Sequence, residues 1–73
     1  MMHELVYNTL DRITENVVPN RTHELLHVNC RTAFTEIALE LLERNIIKPT
    51  VSNVKFLTEN WENVLYTKYS NLN

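Results

Sequence analysis

Glycine is absent from this 73-residue chain, cysteine occurs once, proline occurs twice, and no apolar run exceeds three residues. Each shortage closes a class of answers. Tight two-residue hairpins draw on glycine for their left-handed positions, so an all-strand fold is disfavoured and helices are expected. Loops that cradle a phosphate also need glycine, which argues against nucleotide-binding folds. Cys30 has no second cysteine to pair with, so an internal disulfide cannot form. The short apolar runs offer no membrane span. The opening Met1-Met2-His3-Glu4 builds no apolar stretch of a signal peptide. A lone cysteine without a leader fits a reducing compartment, so a cytoplasmic location is expected.

Charge of either sign is also modest. Seven Lys/Arg stand against nine Asp/Glu. Residues 1–45 carry a net −3 and residues 46–73 a net +1. Neither part has the basic footprint of a dedicated nucleic-acid binder. A chain of this length buries only about 60% of its unfolded surface, so its core is small. With no disulfide to supplement it, association is the remaining support. Dimerisation or docking on a larger partner is expected.

What is present is helical periodicity. Val6, Leu10, Ile13 and Val17 recur at helical spacing and predict a first helix over 3–18. Pro19 ends it, because proline lacks the N–H and disfavours helical geometry at the residue before it. Leu26, Cys30, Ala33, Ile37 and Leu41 predict a long second helix over 22–44, flanked by Phe34, Ala38 and Leu42. Asn20 or Thr22 is placed to cap its start, with a second start at Asn29 and Thr32 as the alternative. Asn45 is the expected stop, since asparagine follows glycine in tolerating the left-handed conformation. Pro49 and Thr50 open a third segment over 50–70, with Val51, Val54, Leu57, Trp61, Val64 and Leu65 as its stripe. If it is two helices, Asn60 caps the second from Trp61 onward, and Ser70 to Asn73 are expected to fray. The chain therefore reads as a single all-α domain, a bundle of three helices or four. Short connectors predict antiparallel neighbours.

The candidate sites follow from this frame. His23, His27 and Cys30 fall at i, i+4 and i+7 and would share one helical face, a spacing that suits zinc. A structural zinc site needs four ligands, and only His3 remains to add. The plainer reading, a core cysteine with two rim histidines, is preferred, so neither metal nor cofactor is expected. His27 with Glu24, or Cys30 with a histidine, can be written as a catalytic pair. No glycine-built oxyanion site accompanies them, and no enzymatic activity is expected. Residues 36–57 read as helix, turn, helix, in which Lys48, Thr50, Ser52, Asn53 and Lys55 would face DNA. The nearby Glu36, Glu40 and Glu43 oppose that use. The late aromatics Phe56, Trp61, Tyr66 and Tyr69 exceed what a small core absorbs, and such side chains favour interfaces.

The stretch from Ile37-Ala38-Leu39-Glu40-Leu41-Leu42 to Ile46-Ile47-Lys48-Pro49-Thr50-Val51-Ser52-Asn53-Val54 resembles the helical hairpin of small bacterial biofilm and stress regulators of the YmgB/AriR type. That resemblance covers about half of the chain and consists of apolar spacing. It implies a helical homodimer with a regulatory, partner-binding role. The acidic, asparagine- and tyrosine-rich character equally suits a phage or mobile-element protein that occupies a host factor.

Two functions remain. The first is a small non-catalytic regulatory, adaptor or inhibitor protein that acts as a homodimer by protein–protein binding, through Phe56, Trp61, Tyr66, Tyr69 and the acidic face of Glu36, Glu40 and Glu43. The alternative is a DNA-binding transcriptional regulator that uses Lys48, Thr50, Ser52, Asn53 and Lys55.

Overall fold

A computed structural model describes residues 4–70. Among these the chain forms four helices: α1 Glu4–Val17, α2 Cys30–Glu43, α3 Val51–Glu59 and α4 Trp61–Tyr69. The fold is an all-α bundle. His3 and Asn71 to Asn73 lie outside the described residues.

The buried face of α1 is Val6, Thr9, Leu10 and Thr14 rather than the expected stripe. Val17 turns outward at 45% exposure, and Ile13 is half-buried. Two threonines therefore take core positions. The Thr9 hydroxyl tolerates burial by donating to the Leu5 carbonyl at 2.7 Å.

The second helix begins at Cys30, not at residue 22. Residues 18–29 instead form a loop with a small hairpin at its tip. The Cys30 N–H donates to the Arg21 carbonyl and the His23 N–H to the Val28 carbonyl, around an isolated bridge between Thr22 and Asn29. The His27 N–H reaches back to the His23 carbonyl to close one turn. His27 then reverses the chain with φ 61°, a left-handed position usually given to glycine. The alternative start at Asn29 is the one that forms, with the roles exchanged: the Asn29 side chain accepts from the Thr32 N–H. Asn20, expected as a cap, instead accepts from the Asn29 side-chain amide.

Arg31 fastens α1 to α2. Its Nε–H donates to the Val18 carbonyl and an Nη–H to the Glu15 carbonyl. The last turn of α1 contains no basic residue of its own. Arg31 thus supplies from the next helix the positive charge that a helix C-terminus favours. At the other end, the Tyr7 hydroxyl donates to Glu43. The two contacts pair the start of each helix with the end of the other, so α1 and α2 run antiparallel.

The α2 C-terminus closes as a Schellman motif. The Asn45 N–H donates to the Leu42 carbonyl and the Ile46 N–H to the Leu41 carbonyl, with Asn45 at φ 56°. Thr50 caps α3 by accepting from the Asn53 N–H. Asn60 then separates α3 from α4, so the 50–70 segment is two helices.

The core contains Phe34, Leu10, Leu42, Leu65, Val18 and Val54 among its fully enclosed side chains. Burying each such group contributes about 1.5–3 kcal/mol before entropic costs. α1 packs chiefly on α3, and α2 on α4. The consecutive helices α2 and α3 scarcely touch. The expectation of antiparallel neighbours thus fails at this joint, because Lys48 to Thr50 carry the chain away from α2 before α3 begins.

Candidate functional site

The loop fold moves the histidines off the helical face that the spacing suggested. His23 lies in the hairpin and is buried, His27 is exposed at its turn, and Cys30 is fully buried at the start of α2. Among the described residues no group of three His, Cys, Asp or Glu side chains is placed to hold a metal ion.

His23 instead joins the loop to α4. Its Nδ1 accepts from the backbone N–H groups of Leu25 and Leu26, at 3.1 and 3.2 Å. Nδ1 therefore carries a lone pair, and in the neutral ring the proton sits on Nε2. Nε2 then donates to Glu62 Oε2 at 3.0 Å. The ring edge also meets Tyr66, with centroids 5.5 Å apart and planes at 89°. Arg21, Glu24 and Leu25 complete a shallow polar pocket around these groups. With both nitrogens engaged, the imidazole offers no free lone pair for general-base work in this conformation.

The late aromatics separate into two groups. Trp61 and Tyr69 are half-buried against the core, and Tyr66 packs on His23. Phe56 stands apart at 62% exposure. Glu36, Glu40 and Glu43 are exposed on α2, as their pattern predicts. Glu40 pairs with Arg44 at 3.3 Å, an exposed contact of little energetic weight. Glu43 accepts the Tyr7 proton, and that bond holds the Tyr7 phenol above its usual range.

The residues named for DNA contact divide in the same way. Lys48, Ser52 and Lys55 are exposed. The Thr50 side chain is engaged in the α3 cap, and the Asn53 side-chain amide donates to the Lys48 carbonyl. Both polar groups best suited to base edges thus hold their own helix start. α2 and α3 also lack the mutual packing of a helix-turn-helix pair.

Three apolar positions outside the expected interface are more than 60% exposed: Leu25 at 69%, with Leu5 and Ile46. Leu5 is 64% exposed and Ile46 62% exposed.

No family model matches the chain, and no curated protein or solved structure matches it either.

Proposed function

We propose that this protein is a small non-catalytic regulator, adaptor or inhibitor that binds another protein through its exposed apolar side chains. The observation that carries the reading is the placement of Leu5, Ile46 and Phe56, each more than 60% exposed. The Tyr7–Glu43 bond brings the first turns of α1 to the C-terminal end of α2. Ile46 follows that end directly. Single exposed apolar residues are ordinary, but several of them on so small a body suit a contact surface. Glu40 and Glu43 on α2, with Lys48 and Lys55 beyond it, supply a charged rim of both signs. Such a rim sets orientation and partner choice more than affinity. Trp61, Tyr66 and Tyr69 serve the interior in this reading, and Phe56 remains the aromatic anchor.

The test is site-specific photo-crosslinking from position 46 or 56 in the producing cell, followed by affinity measurement with the captured partner. Phe56→Ser is expected to weaken binding about thirtyfold, the effect of losing a hot spot of about 2 kcal/mol. Far-ultraviolet circular dichroism of the variant is expected to match the parent. Unchanged affinity in Phe56→Ser and Ile46→Ser would remove this surface from consideration.

A further inference from the structure

The hairpin at residues 22–29 lies at the opposite end of α1 and α2 from Leu5 and Ile46, and the His23 side chain joins it to α4. His23 is 5% exposed and touches groups 39 positions away in sequence. Its Nδ1 does for the turn at 24–26 what a capping side chain does for a helix start: it accepts from two backbone N–H groups that have no other acceptor in the turn. Its Nε2–H bonds Glu62. Only the neutral Nε2–H tautomer satisfies both sets of partners at once.

We propose that His23 is a proton-operated clasp: taking a proton from solvent at Nδ1 uncaps the turn at Leu25 and Leu26 and loosens the hairpin from α4. The imidazolium has no lone pair, so its Nδ1–H would point at two N–H donors. The groups facing the ring make the release directional. From α4, Glu62 attracts the cationic ring and Tyr66 presents a neutral phenol. From the loop, Glu24 attracts it and Arg21 repels it. The Glu62 bond therefore strengthens on protonation while the bonds to the turn are lost. The ring stays with α4 and the backbone of the turn moves away. Leu26 and Val28, half-buried against the core, are the apolar groups that become accessible.

The experiment follows imidazole nitrogen and backbone amide resonances of the full chain from about pH 8 to about pH 5, the interval in which histidine side chains change charge. The expected result has His23 as the Nε2–H tautomer at the upper limit. As it becomes doubly protonated, the Leu25 and Leu26 amide protons move upfield in step. His23→Asn provides an acceptor that does not titrate, and the response of those two amides is expected to vanish. His27→Asn removes the neighbouring histidine while keeping a residue that tolerates the left-handed turn, and the response is expected to persist. The proposal is overturned if His23 titrates with the two amides unmoved, if it holds the Nδ1–H tautomer at the upper limit, or if it remains neutral throughout. Loss of the response in a folded His27→Asn variant overturns it as well.

Discussion

At the scale of single residues, polar side chains do more of the assembly than a hydropathy pattern reveals. Thr9 and Thr58 occupy core positions and donate to the Leu5 and Val54 carbonyls at 2.7 Å, whereas the buried Thr14 hydroxyl has no hydrogen-bond partner among the described residues. A threonine that bonds within its own helix packs as a small branched hydrophobe, with little penalty for its hydroxyl. Tyr7 shows a polar contact with a measurable signature. Its hydroxyl donates to the Glu43 carboxylate, and this bond raises the phenol above 10.0. The folded form thus holds the proton more tightly than the unfolded form. The resulting stabilisation is present below the ordinary tyrosine range and is lost as pH rises through the elevated value. A near-ultraviolet absorbance titration is expected to show a phenol ionising above 10.0. Tyr7→Phe removes that component, and Glu43→Gln draws it back towards the ordinary value. A late component that survives Tyr7→Phe would contradict the assignment.

At the scale of elements, the helix ends were more legible than the loop between them. Asn45 and Thr50 act where the sequence places them, because a left-handed stop and a side-chain cap each follow from local chemistry, whereas Asn60 marks the break but does not cap α4, since its side-chain amide donates back to the Phe56 carbonyl. Asn45 allows a quantitative test. A residue with a bulky Cβ at φ 56° is strained by about 1–2 kcal/mol, a strain that glycine avoids. Asn45→Ala is expected to lower stability by about 1 kcal/mol, and Asn45→Gly to preserve or raise it. Urea unfolding followed by circular dichroism compares the two, and equal destabilisation would count against the Schellman account. The start of α2 was misread for a physical reason. Leu26 is half-buried from the loop, so it continues the apolar rhythm of α2 without its backbone. Burial periodicity records which side chains face inward, and a hairpin laid against a core can imitate a helix. What distinguishes them is the Asn29 side chain, which takes the Thr32 N–H and starts the helix there.

At the scale of the whole molecule, the body is flat, with Cα extents of 35 × 24 × 15 Å. Packed helix axes lie about 8–10 Å apart, so the thin dimension holds two layers of helix. Each helix consequently keeps a solvent face, and the exposed Leu5, Ile46 and Phe56 are outcomes of that shape as well as of composition. The candidate sites were less legible than the helices. His23 and Glu62 meet across 39 positions, and no local spacing foretells that meeting. The exposure of Phe56 was easier to anticipate, because it departs from the Val54, Leu57 and Trp61 stripe on its own element.

The single residue between α3 and α4 has a consequence for how copies of the chain can exchange parts. Asn60 is the whole joint, held by bonds from its N–H and its side-chain amide to the Phe56 carbonyl. If it became helical, residues 51–69 would form one rod about 28 Å long. α4 would then leave the α2 of its own chain and reach the α2 of another. The two copies would restore every lost contact reciprocally, as in domain swapping. Asn60→Ala, which favours the rod, is expected to shift the chain towards an exchanged dimer in sedimentation runs at high concentration. A variant that remains monomeric there would show that the joint resists straightening.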